Sequence, residues 1–191
     1  MDKEETITRE RLIDLLNEDL AREYQAIISY VIYSKVLKGA AYMNIAAELE
    51  VHAGQELQHA LTISEQIDYL GGNPTPQPKP VRTSKKAEDM LRFDLENENE
   101  TVRNYRQRIR QAEALGEYAL AEDLRQILVE EQDHQISLAT ALGIDVPAEG
   151  LGRQSGKATQ IAEVQQVRSA AGIRHDAAVK ANATRKATRK G

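Results

Sequence analysis

The chain has 191 residues, enough for one good-sized domain or a domain with an extension. It contains no cysteine, which excludes disulfides, zinc ribbons, thiolate catalysis and rubredoxin-type iron sites. The formal charge of −5 is unevenly spread: residues 153–191 hold nine Lys/Arg against Glu163 and Asp176, so a tail of net +7 follows a body of net −12. The N-terminus, Met1-Asp2-Lys3-Glu4-Glu5, is charged, and no later run approaches the ~18 apolar residues of a membrane span. These features predict a soluble, cytoplasmic protein.

Helix signals come in chain order. A first helix is expected from about Thr8, a plausible N-cap, to Lys38, with Gly39 closing it. A second runs from about Ala41 to Leu70 and stops at Gly71-Gly72. The segment "GGNPTPQPKPVRT", with four prolines, reads as an extended linker. A third helix starts near Ser84 and ends at Gly116. Its apolar positions (Leu91, Leu95, Val102, Tyr105, Ile109) leave one gap, which Glu98 fills. A fourth follows to Leu142, closed by Gly143. Beyond Val146-Pro147, glycines interrupt the chain, a weak helical stretch is expected near Ile161–Ser169, and "KANATRKATRKG" ends it with a repeated ATRK.

Two helical hairpins make a four-helix bundle. The proline-rich linker is too long for a tight up-down turn. About 13 residues at roughly 3.1 Å each reach some 40 Å, close to the length of a 30-residue helix. A crossover along the bundle is the better reading, although the spacings alone permit either topology. The expected organisation is thus an all-α four-helix bundle over residues 1–146, followed by a basic extension, partly helical or disordered, over residues 147–191.

Chemistry enters through a repeat. Glu56-Leu57-Gln58-His59 recurs as Glu131-Gln132-Asp133-His134, displaced by 75 residues. The same offset pairs Asp19 with Asp94, Leu20 with Leu95, Glu23 with Glu98 and Tyr30 with Tyr105. A constant offset points to a duplicated hairpin with approximate two-fold symmetry. Counted from the hairpin turns at Gly39 and Gly116, Glu23, Glu56, Glu98 and Glu131 stand at nearly one level. Residues at i and i+3 share a helix face, so each Glu-x-x-His can present both groups inward.

Four buried carboxylates without partners would cost several kcal/mol each. Two divalent metals cancel their charge and leave both histidines neutral, as ligands. Oxygen-rich ligation with one nitrogen per metal and no sulfur suits iron or manganese, with zinc a competitor. Glu48, Glu50, Glu96, Glu100, Glu122 and Glu130 are expected to be solvated faces. Asp19 and Asp94, one turn before Glu23 and Glu98, are expected to accept the free ring N–H of a ligand histidine. Tyr30 and Tyr105 fit core filling and hydrogen bonding to the site equally well. His52 reads as a surface histidine, with a ligand on an access path as the alternative.

The stretches "EYQAIISY" (23–30), "ELQH" (56–59), "DMLRFDLENE" (89–98) and "ILVEEQDH" (127–134) together resemble the ferritin-like superfamily, most closely its bacterioferritin branch, over roughly residues 8–145. The resemblance implies a di-iron ferroxidase centre, two iron ions per subunit, ligated by Glu23, Glu56, His59, Glu98, Glu131 and His134, with Glu56 and Glu131 bridging. Bacterioferritins carry a haem-ligating Met directly after the bridging Glu of the second helix. Leu57 stands there, which disfavours haem. The implied activity is oxidation of Fe²⁺ to Fe³⁺ by O₂ or H₂O₂, with mineral storage in a hollow homo-oligomer of 12 or 24 subunits. Two alternatives are a non-storage di-metal peroxidase or catalase resembling rubrerythrin, and a Dps-like protein whose basic tail contacts DNA non-specifically.

Overall fold

A computed structural model describes residues 7–147. The basic tail, the weak helix expected near Ile161–Ser169 and the DNA contact of the Dps-like alternative lie outside the described residues. Four helices and one short 3-10 turn account for all regular structure among the described residues: α1 (Arg9–Val36), the turn Ala40–Tyr42, α2 (Met43–Tyr69), α3 (Ala87–Ala114) and α4 (Tyr118–Leu142). The all-α four-helix reading holds.

Local chemistry sets the helix ends. Thr8 caps α1, its hydroxyl accepting from the Arg11 backbone N–H at 3.2 Å. α1 stops at Val36, slightly before the expected end, because Leu37 swings to ψ 130°. Gly39, at φ +116°, then turns the chain into the 3-10 turn. α2 closes on Gly71 at φ +87°, with the Gly72 N–H bonded back to the Ile67 carbonyl at 2.9 Å. A Cβ on Gly72 would lie 2.4 Å from Ile13 Cγ2, so α1 and the end of α2 close against bare backbone. α3 begins at Ala87 rather than near Ser84. The Ser84 hydroxyl accepts from the Lys86 N–H and donates to Asp89, organising the approach to the helix instead of its first turn.

The proline-rich segment is extended and runs alongside α1 in the same direction. Asn17 binds the Asn73 carbonyl and the Thr75 N–H, and the Lys79 N–H donates to the Ala21 carbonyl. Further along, Gln25 donates to the Pro80 carbonyl at 2.5 Å and the Tyr33 hydroxyl donates to the Arg82 carbonyl. From Asn17 to Tyr33 the helix rises about 24 Å. The linker therefore delivers α3 to the end where α1 turns into α2. The crossover topology is the one observed; it makes α1 and α3 antiparallel neighbours and α2 and α4 another such pair.

The apolar core falls into two clusters. One gathers Leu12, Leu16, Leu20, Ile63, Ile67, Leu120 and Leu124; the other gathers Tyr33, Leu49, Leu91, Leu95 and Leu138. Between them, at mid-bundle, lies a belt of buried polar side chains.

Candidate metal centre

Each helix contributes to the belt from within its own apolar stripe. α1 supplies Glu23, between Leu20 and Tyr30, and α3 supplies Glu98, between Leu95 and Val102. α2 supplies Glu56 and His59, and α4 supplies Glu131 and His134. All six are buried, none more than 3% exposed. Their ligand atoms form two overlapping groups, Glu23/Glu56/His59/Glu131 and Glu56/Glu98/Glu131/His134, each with its atoms within 4.8 Å of one another. Glu56 and Glu131 belong to both groups.

The histidine rings point Nδ1 inward. His59 Nδ1 lies 3.1 Å from Glu56 Oε2, 3.1 Å from Glu131 Oε1 and 3.4 Å from Glu23 Oε2. His134 Nδ1 lies 3.0 Å from Glu56 Oε1 and 3.6 Å from Glu131 Oε2. Two tyrosines cross-brace the carboxylates, the Tyr30 hydroxyl donating to Glu98 and the Tyr105 hydroxyl to Glu23. Burial and the surrounding carboxylates push both phenols well above their ordinary pKa, so they remain donors. Tyr30 and Tyr105 thus fill the core and bind the site together.

Without a metal, protons have to balance the charge. Burial, reinforced by neighbouring carboxylates, raises Glu56 and Glu98 well above the ordinary carboxylate value and raises Glu131 as well. Burial acts on Glu23 in the same sense, but hydrogen bonds from His59, Glu56 and Tyr105 outweigh it and hold Glu23 low. Burial would lower His59, yet the carboxylates of Glu131, Glu23 and Glu56 drive it strongly upward. Burial lowers His134. Without a metal, the centre thus favours protonated carboxyls at Glu56, Glu98 and Glu131 and a charged His59 ring.

The donor set fits two divalent cations. Glu23 Oε2, Glu56 Oε1, Glu98 Oε2, both oxygens of Glu131 and His134 Nδ1 are buried without a hydrogen-bond partner, although some lie within ion-pair distance of one another. Such atoms are costly in a core unless something electropositive sits among them. Two metals would meet the orphaned atoms and neutralise four carboxylates.

The surroundings correct three expectations. Asp19 and Asp94 do not reach the histidines. Asp19 is held by Arg108 in a buried bidentate pair (Nε to Oδ2 2.6 Å, a terminal nitrogen to Oδ1 3.2 Å), and Asp94 takes a hydrogen bond from Ser29. The aspartates lie on α1 and α3, whereas the outer ring nitrogens lie between α2 and α4. There, His59 Nε2 meets Glu130 Oε2 and His134 Nε2 meets Gln55 Oε1, each at 3.0 Å. Glu130 is thus more than a solvated side chain: 44% of it is exposed, but its carboxylate holds a centre histidine. His52 is not on the surface either. It is 3% exposed, stacks on His134 with centroids 4.0 Å apart, and packs edge-on against Tyr30. Burial, then the neighbouring His134, push it down to about 3, so the ring is neutral. Gln55 and Glu130 are themselves 75 residues apart, a signal that a search for identical residues passes over.

On the opposite side, a narrow cleft between α1 and α3 leads to Glu23, Glu56, Glu98 and Glu131, with Arg22 and Thr101 in its walls. The Arg22–Glu100 ion pair bridges the two helices beside it.

Known proteins match this chain along most of its length. Among curated relatives, a bacterioferritin of Desulfovibrio desulfuricans is 30% identical over 125 residues, 65% of this chain and 70% of the relative. A bacterioferritin of Streptomyces coelicolor is 28% identical over 155 residues, 81% of this chain and 91% of the relative. Among solved structures, a ferritin-like, diiron-carboxylate protein of Bacillus anthracis superposes with a TM-score of 0.68 at 34% identity, over 70% of this chain and 96% of that one. A dodecameric thioferritin of Bacteroides fragilis, described as bacterioferritin-related, gives 0.66 at 26% identity, over 72% and 88%. The match to the ferritin-like domain family runs over residues 13–145, a span that holds all four helices but the first four residues of α1, the crossover and all six centre residues, and the chain belongs to that family.

Proposed function

We propose that this protein is a ferroxidase that oxidises Fe²⁺ at the mid-bundle centre and stores the ferric product in a hollow homo-oligomer. The observation that carries the reading is the cluster of six buried ligand groups with orphaned oxygens on two overlapping metal positions. Iron is the substrate: with H₂O₂ the balance is two Fe²⁺ and two H⁺ with one peroxide, giving two Fe³⁺ and two waters. With O₂, two Fe²⁺ and two H⁺ yield two Fe³⁺ and one H₂O₂.

In this reading Glu23, Glu56 and Glu131 hold one iron with His59, and Glu98, Glu56 and Glu131 hold the other with His134. Manganese or zinc would compete for the same donors. Tyr30 and Tyr105 keep Glu98 and Glu23 aimed while metals come and go. The α1/α3 cleft gives access, and the net negative charge of the body concentrates cations near it. Bundle and centre belong to residues 1–146. Leu57, on the outer face of α2 and 49% exposed, offers no haem ligand. A cage fits the dodecameric assembly of the Bacteroides relative.

The test is anaerobic loading with two Fe²⁺ per chain, then addition of O₂ or H₂O₂ while oxidant consumption and the ferric absorbance are followed. Rapid oxidation at that stoichiometry, with iron co-eluting in a particle of cage mass, is the expected result. A protein that binds no Fe²⁺, or a Glu131→Gln variant that oxidises it as fast, would overturn the proposal.

A further inference from the structure

The centre is nearly two-fold symmetric in its ligands and clearly asymmetric in what supports them. His59 Nε2 is held by the carboxylate of Glu130 on α4, and His134 Nε2 by the side-chain amide of Gln55 on α2. These supports are matched in position, 75 residues apart, and in distance, both 3.0 Å. They differ in charge. With each Nδ1 facing the metal position, the ring proton resides on Nε2, and each support accepts it. A charge-assisted bond to a carboxylate is roughly twice as strong as one to a neutral amide. It also pushes electron density through the ring toward Nδ1, making that nitrogen a better metal donor.

A second asymmetry points the same way. The 75-residue counterpart of His52 is Ile127, part of the hydrocarbon core. His52 instead stacks on His134 and keeps a buried Nδ1 without a partner. His134 is therefore backed by a polar, incompletely satisfied ring and anchored by a neutral group. Its Nδ1 also has fewer carboxylate oxygens close by than that of His59.

We propose that the two metal positions are unequal: Glu23/His59 is the tight position, filled first, and Glu98/His134 is the weaker, exchangeable one, with Glu130 and Gln55 as the positioning residues that set the difference. This rests on the di-metal reading above. It makes the His134 position, beside His52, the one from which an ion leaves.

Co²⁺ is the probe, being redox-stable and visible by its d–d absorption. Titrated anaerobically into the full-length metal-free protein, it should bind in two steps with constants about 10-fold or more apart, the range that partners of metal-ligating histidines control. Gln55→Glu should tighten the weaker step by about 10-fold and bring the two together. Glu130→Gln should loosen the tighter step by a similar factor. Both side chains are partly exposed, so neither change removes core packing, and a gain of affinity in Gln55→Glu is something a merely structural role would not produce. Two equal constants in the wild type, or a weaker step that Gln55→Glu leaves in place, would overturn this inference and leave the proposed function standing. Failure to bind Co²⁺ at all would overturn both.

Discussion

Replacing Glu98 by Gln should stabilise the metal-free protein, and by more as the pH rises. Glu98 is 2% exposed; one oxygen accepts from Tyr30 and the other has no partner. Burial and Glu131 hold its carboxyl well above the ordinary value of 4.5. Between that value and the raised one, the folded protein keeps a proton that the unfolded chain has released. Stability is then lost as pH rises, at up to about 1.4 kcal/mol per unit. A glutamine has no such proton to hold, and its amide oxygen can still accept from Tyr30. From pH 5.5 to 7.5 the advantage of the variant should grow by up to about 2.7 kcal/mol. At about 2–4 °C per kcal/mol for a domain of this size, the gap in Tm should widen by up to some 5–11 °C. Far-UV circular dichroism melts with chelator, at one protein concentration and three pH values, read this directly. Adding Co²⁺ should reverse the ranking, because the wild type alone keeps both positions intact. A Tm gap that is flat or shrinking with pH would refute the claim that this carboxyl is held protonated by burial.

Two further outcomes follow from the same electrostatics. Arg108→Leu strands Asp19 in the core and should cost about 3–5 kcal/mol in urea denaturation, whereas the double variant Asp19→Leu/Arg108→Leu should recover most of it; simple additivity would contradict the pairing. Metal binding must expel the protons that Glu56, Glu98, Glu131 and His59 hold above their ordinary values. Co²⁺ affinity should therefore rise with pH above the ordinary carboxylate range, with proton release visible by calorimetry in two buffers of different ionisation enthalpy. A pH-independent affinity would be the contrary result.

The six centre residues were legible because identical residues recur at one offset, and because Glu98 and Glu131 interrupt apolar stripes where a core residue belongs. The crossover was legible in the linker's length and prolines. The supports were not. Arg108 sits among Arg103, Arg106 and Arg110, and nothing in helical spacing says which of these bases turns inward. Gln55 and Glu130 share the offset but not the residue, so identity misses a pair that shape matches. His52 reads as surface by its residue type, although its counterpart Ile127 is a core residue; the stacking on His134 that buries it is a contact between helices, which one helix's spacing does not show. The Asp19 and Asp94 expectation failed for a related reason. One helical turn correctly places them beside Glu23 and Glu98, but the direction in which the histidine rings face depends on how α2 packs on α4.

The belt between the two leucine-rich clusters has a geometric effect as well as a chemical one. Leucine against leucine is nearly indifferent to a slip of one turn, about 5.4 Å, between neighbouring helices. Such a slip here would carry Glu98 and Glu131 into hydrocarbon and bring leucines opposite Glu23 and Glu56. The polar layer therefore works as a vernier for the bundle: it lets the two hairpins close in only one alignment, a selection that the hydrocarbon layers cannot make by themselves.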